Sequence, residues 1–156
     1  MEIQIRDLPE TRVAYMRHVG AYGSPEIATL WQRFAGWCQE EGLTPPQRRM
    51  YGVSHDGPDA PPDRCRYDAC IEVGAGFTPK DGVGVETLAG GSFACTRFHG
   101  TPDEVHGAWE SFGRQLAAEG YRSPGPPTIE IYEADFAVDP ATGAFDCLLC
   151  APIQPR

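Results

Sequence analysis

The stretch Pro127-Thr128-Ile129-Glu130-Ile131-Tyr132 decides how this chain is read. It is short, β-branched and aromatic, and the turn-forming run Ser123-Pro124-Gly125-Pro126 precedes it. Together these features predict a strand. Alternate side chains of a strand share a face. Ile129 and Ile131 therefore point one way, onto a face that a helix can cover, while Glu130 and Tyr132 point the other way. A carboxylate beside an aromatic ring is either a solvent-facing pair, as most glutamates are exposed, or the anionic wall of a cleft. Spacing alone leaves both readings open.

Outward from that strand the punctuation is regular. Ile3 to Ile5 is a short strand stopped near Pro9, and Thr11 to Val19 is strand-like up to Gly20. The two read as separate strands or as one strand with a bulge. Ser24-Pro25-Glu26 supplies an N-cap, a proline at the first helical position and an acidic first turn. Ile27, Leu30, Trp31, Phe34, Trp37 and Cys38 follow at helical spacing to about Glu41, and Gly42 ends the helix. Met50 to Ser54 is a strand, His55-Asp56-Gly57-Pro58 turns it, and Arg66 to Val73 is the next. The order then recurs. Val85 to Leu88 and Ser92 to His99 are strands, and Thr101-Pro102-Asp103-Glu104 is an approximate capping box. The helix it opens runs to Glu119 and ends at Gly120. The central strand and a last one, Ala144 to Ala151, complete the chain.

The recurrence extends to single residues. Trp31 and Trp109, Phe34 and Phe112, Gly42 and Gly120, and Tyr67-Asp68 and Phe145-Asp146 each stand 78 residues apart, while Arg17 and Gly20 match Arg97 and Gly100 at 80. So many matches in register predict a duplicated strand–helix–strand–strand unit. The expected fold is α+β: one domain over 1–156, with repeat 1 at about 1–80 and repeat 2 at about 81–156. The repeats would be related by a pseudo-two-fold, with an antiparallel sheet, two helices on one side and a ligand cleft on the other. Neither copy could bury its sheet alone.

Composition narrows the function. Lys+Arg number 13 against 22 Asp+Glu, a net charge of −9. That argues against direct nucleic-acid contact by this segment, which would need a basic footprint. No apolar run reaches membrane-spanning length, and the first residues have neither the basic nor the apolar part of a signal peptide. The six cysteines are therefore read as reduced thiols in the cytoplasm, several of them inside apolar strand-like runs. Cys147 and Cys150 have C-x-x-C spacing, but in a strand they point to opposite faces. No second pair stands at zinc-site spacing. His18, His55, His99 and His106 show no ligand clustering in sequence, so neither a metal nor a cofactor is expected.

Four segments, taken in order, carry a resemblance: Val13-Ala14-Tyr15-Met16-Arg17-His18-Val19-Gly20, Tyr51-Gly52-Val53-Ser54-His55-Asp56-Gly57-Pro58, Asp63-Arg64-Cys65-Arg66-Tyr67-Asp68-Ala69-Cys70 and the central Pro127–Tyr132 strand. Across nearly its whole length the chain resembles the GyrI-like small-molecule-binding domain. That domain occurs free-standing and as the effector-binding module of AraC-type and MerR-type multidrug-responsive transcription regulators. The resemblance implies a two-repeat fold with an aromatic-lined pocket, in which Glu130 takes the place of a glutamate that pairs with lipophilic cations. It also implies two other functions. One is a hydrolase that opens strained cyclopropane-type electrophiles with Glu130 as catalytic group. The other is a protein-binding gyrase inhibitor, which would show an exposed apolar patch outside the cleft. Thr128 stands where the family usually has an aromatic or a cysteine, and Glu133-Ala134-Asp135 adds acid at the rim.

The expected partner is thus a small hydrophobic or cationic ligand, with a DNA-binding domain or partner protein elsewhere. The candidate ligand-binding residues are Glu130, Tyr67, Tyr132, Phe145, Trp109, Phe112 and Trp31. Tyr67, Tyr132 and Phe145 are otherwise ordinary sheet aromatics. Trp31, Phe34, Trp109 and Phe112 read first as core, although indoles at a helix–sheet seam can also stack on cations. Asp68 and Asp146, if buried, need partners, and Arg17 and Arg97 are the repeat-matched choices.

Overall fold

The structure is a computed structural model that describes residues 1–43, 48–57, 59–133 and 135–154. Pro58 of the expected turn and Ala134 of the acidic rim lie outside the described residues. Eight strands and two helices follow one another as β1 (Gln4–Leu8), β2 (Thr11–Val19), α1 (Pro25–Glu40), β3 (Met50–Ser54), β4 (Arg66–Glu72), β5 (Gly84–Leu88), β6 (Gly91–Gly100), α2 (Val105–Ala118), β7 (Thr128–Tyr132) and β8 (Phe145–Pro152). All strands join one antiparallel sheet in the order β1-β6-β8-β7-β3-β4-β2-β5. The α+β fold with two helices is the one the sequence predicts.

The order reads alike from both ends. β3 and β7 pair at the centre, with Gly52 opposite Glu130. The edges are exchanged: β1 pairs with β6 of the second half, and β5 pairs with β2 of the first. β1 and β2 are therefore two strands with different neighbours, and a single bulged strand is excluded. The chain crosses between halves at Leu8-Pro9-Glu10 and again at Leu88-Ala89-Gly90-Gly91. The crossings touch, since a Cβ at Gly90 would collide with the Leu8 carbonyl and lie 2.8 Å from the Glu10 nitrogen.

Two-residue alternation splits each strand between two cores. The helix face divides into two clusters. Leu30, Phe34, Trp37 and Cys38 of α1 meet Ala14, Tyr67, Ala69 and Ile71. Phe112 and Leu116 of α2 meet Ala94, Phe98, Phe145, Cys147 and Leu149. The opposite face closes on itself, with Val13, Val53, Leu88, Phe93, Ile129, Ile131 and Leu148 packed together. Ile129 and Ile131 thus pack in the helix-free core, where a helix contact was expected. Glu130 faces the helices instead of a cleft opposite them. The curled sheet fills its own hollow, so the isoleucines need no helix. Cys147 and Cys150 do fall in different cores.

Both helices stop as their glycines predict, with Gly42 at φ +71° and Gly120 at φ +85°. Ahead of α2, the Glu104 carboxylate accepts from the Thr101 backbone N–H at 2.9 Å, which completes its half of the capping box. At α1, Ser24 is extended but makes no side-chain cap bond, leaving Pro25 at the first turn to set the entry.

Candidate functional site

Strand alternation puts Glu130 on the helix face at the middle of the sheet, and the seam between α1 and α2 lies above it. Its residue is 9% exposed. Three donors converge on the carboxylate. The Tyr67 hydroxyl donates to Oε1 at 2.8 Å, the Tyr132 hydroxyl to Oε1 at 3.1 Å, and the Trp109 indole N–H to Oε2 at 3.3 Å. The Trp31 indole N–H donates to the Tyr67 hydroxyl at 3.1 Å. The repeat-matched tryptophans therefore both point at one carboxylate, Trp109 directly and Trp31 through Tyr67.

Every hydrogen in this network points inward, which is what an ionised acceptor needs. Burial pushes the Glu130 carboxyl above its ordinary range, and the Tyr67, Trp109 and Tyr132 donors pull against that rise. Burial, together with the neighbouring carboxylate, raises both tyrosines well above theirs, so they remain donors at neutral pH. When ionised, the carboxylate sits in an apolar place at a cost that a cation would offset.

Aromatic rings wall the site. Trp31 meets Tyr132 edge-to-face at 5.4 Å between centroids. Tyr132 lies 6.2 Å from Phe145, and Phe136 packs on both at 5.1 and 5.9 Å. Glu130, Tyr67, Tyr132, Trp31, Trp109 and Phe145 of the expected set are brought together. Phe112 is set apart: it is buried between α2 and the sheet, with only its contact to Trp109 at 6.0 Å linking it to the site. Its position on the core stripe of α2 dictates this. Phe136 was not among the sequence candidates. It stands on the β7–β8 connection, where no periodicity marks a residue as inward-facing.

A second polar cluster lies on the other face of the sheet. Asp68 is fully buried. Its Oδ1 accepts from Arg17 Nε at 2.8 Å, and its Oδ2 accepts from the Arg17 guanidinium at 2.9 Å and from His55 Nε2 at 2.6 Å. Glu86 comes within 3.6 Å of Arg17 and 3.7 Å of His55. The expected Arg17–Asp68 pair is therefore present, while Asp146 takes His99 at 3.0 Å in place of Arg97. Asp146 and His99 are both exposed, so no buried charge demands the arginine. His55, Asp68 and Glu86 form a cluster that sequence spacing did not show, because Glu86 arrives on the exchanged strand β5. Their ligand atoms lie within 4.8 Å of one another. Arg17 already supplies the positive charge there, and the bonds to Asp68 and Glu86 raise the His55 pKa to about 9, which adds another. This is a charge-balanced lock between strands, with less need of a cation than Glu130 has. An open hollow of about 550 Å³ lined by Tyr15, Arg17, Lys80 and Gly84 lies beside it. Its Arg17 and Lys80 are engaged by Asp68 and Glu41.

An eight-stranded antiparallel sheet with two helices over its central carboxylate is the frame of one α+β domain. Residues 1–154 match the GyrI-like small molecule binding domain, and the chain belongs to that family. It is 31% identical over 133 residues to a candidate transcriptional regulator, the SPbeta prophage-derived YosT of Bacillus subtilis (strain 168), covering 85% of this chain and 89% of that one. Among solved structures it is similar to EcmrR in a complex with DNA, at a TM-score of 0.77 and 13% identity. That match covers 99% of this chain and 58% of EcmrR, so the present chain spans little over half of that protein. It is also similar to SAV2435 bound to tetraphenylphosphonium, at a TM-score of 0.66 and 16% identity, covering 99% and 94% of the two chains. The chain is thus related to a candidate transcriptional regulator and shares its fold with EcmrR and SAV2435. No helix among the described residues is long and apolar enough to cross a membrane.

Proposed function

We propose that this domain binds small hydrophobic molecules carrying a positive charge, with Glu130 as counter-ion and Trp31, Trp109, Tyr67, Tyr132, Phe145 and Phe136 as the aromatic surround. The observation that carries this reading is that the buried Glu130 carboxylate accepts three hydrogen bonds, all from neutral donors, and has no cation beside it among the described residues. The tetraphenylphosphonium held by the similar SAV2435 supports it. In this reading the chain is one domain of two repeats dividing near residue 80. It acts in the cytoplasm, either as a free-standing protective protein or as the effector module of a regulator whose DNA-binding part lies elsewhere.

A second reading, hydrolysis, draws on one feature. Among the described residues Glu130 Oε2 carries only the 3.3 Å bond from Trp109, which leaves a lone pair that could direct a water onto a substrate. A thermal-shift series of wild type and Glu130→Gln against tetraphenylphosphonium and neutral aromatics, with product analysis of every hit, separates the two. Binding predicts a cation-selective shift that Glu130→Gln abolishes and no product. Hydrolysis predicts a compound consumed by wild type and left intact by the variant. Equal shifts in both proteins would refute a role for the carboxylate.

A further inference from the structure

Gly52 is a puzzle by its own chemistry. It sits inside β3, buried, and its φ lies outside the left-handed region that calls for glycine. A glycine in a strand interior weakens it, through backbone entropy and the lack of a side chain to pack. Something other than the backbone therefore explains this residue.

Its surroundings supply the reason. Gly52 pairs directly with Glu130 across the centre of the sheet. The two stand 78 residues apart, the same offset that relates Trp31 to Trp109 and Tyr67 to Phe145. Gly52 is therefore the counterpart of Glu130 in the first repeat. A Cβ on it would overlap the Tyr67 hydroxyl, and would lie 2.5 Å from Glu130 Oε1 and 3.0 Å from Tyr67 Cζ. The carboxylate ends a flexible side chain and can swing aside. The Tyr67 ring is buried in the α1 core, so its hydroxyl has nowhere to go without breaking the bonds to Glu130 and from Trp31.

We infer that Gly52 is a specificity-determining residue of this site. The missing side chain leaves the volume in which the Tyr67 hydroxyl meets Glu130, and it leaves the sheet centre with one carboxylate, Glu130, for a cation to meet. Gly52 is a positioning residue that works through Tyr67. The inference deepens the proposed function, and its claim about charge rests on that reading.

The test uses the whole chain and tetraphenylphosphonium, with calorimetry and a ligand-free readout, the titration of the Glu130 side-chain carboxyl followed by carbon NMR. Gly52→Ala should weaken binding at least tenfold and move the carboxyl midpoint upward, because a donor is lost. Gly113→Ala, on α2 with nothing within 4 Å, should do neither. In a Tyr67→Phe background the added Gly52→Ala should cost less than threefold, because the hydroxyl it displaces is already gone. That comparison also decides the matter if Gly52→Ala alone does not fold. A doubly charged bis-phosphonium of the same aryl groups should bind no tighter than the single cation. An unchanged affinity and midpoint in Gly52→Ala, or a full tenfold added loss in the Tyr67→Phe background, would overturn the inference. A Glu130→Gln protein that binds as wild type does would instead refute the proposed function. The ligand-free midpoint would still judge Gly52.

Discussion

Replacing His55 should remove a pH dependence of stability. His55 Nε2 lies 2.6 Å from the fully buried Asp68 and 3.7 Å from Glu86, with its own side chain 20% exposed. These bonds raise its pKa from 6.5 to about 9 in the folded protein, against the cost of burial. Because the folded value exceeds the unfolded one, the stabilisation is complete below pH 6.5. It is lost progressively as pH rises through about 9. At about 1.4 kcal/mol per pKa unit, the shift amounts to about 3–4 kcal/mol at most, or roughly 6–16 °C in Tm for a chain of this size. The assay is urea unfolding of wild type and His55→Gln at several pH values from 6 to 9.5. The six thiols also titrate near pH 8.5 when unfolded and weaken both proteins alike, so the difference between them is what reports on His55. That difference should be largest near pH 6.5 and shrink toward pH 9. Parallel curves across the window would show that the Asp68–His55 contact carries no net free energy and would refute the reasoning.

Other expectations concern the frame around the site. Phe112→Ala should cost about 3–5 kcal/mol, because the ring is almost wholly buried and its loss leaves a cavity under α2. Measured by denaturation, a cost below about 1 kcal/mol would contradict that packing. Gly90→Ala should destabilise by about 1–3 kcal/mol, since its methyl meets backbone at Leu8 and Glu10. Hydrogen exchange should then show β1 opening first, and a silent substitution would mean that the two crossings do not touch.

The elements were legible where local rules act alone. The apolar stripes Leu30–Phe34–Cys38 and Phe112–Leu116, with Gly42 and Gly120 behind them, give both helices nearly to the residue. The central strand and its alternation gave Glu130 and Tyr132 on one face. Which of its faces the helices cover was not legible. An isoleucine pair suits a helix as well as a closed sheet interior, and only the curl of eight strands decides. The exchange of β1 and β5 was hidden for a related reason: a strand's pattern names its buried face and not its neighbour. That exchange is what delivers Glu86 to His55 and Asp68. Gly52 left no trace because its contribution is space, visible only once register sets it against Glu130.

The most direct test of the account is a calorimetric titration of tetraphenylphosphonium into wild type and Glu130→Gln, with triphenylphosphine oxide as the neutral aromatic control. Loss of one partner of a buried charge pair costs about 2–5 kcal/mol. The variant should therefore bind the cation about 30-fold more weakly or worse and bind the neutral control as wild type does. Equal affinity of both proteins for the cation would contradict the claim that Glu130 is the counter-ion around which this site is built.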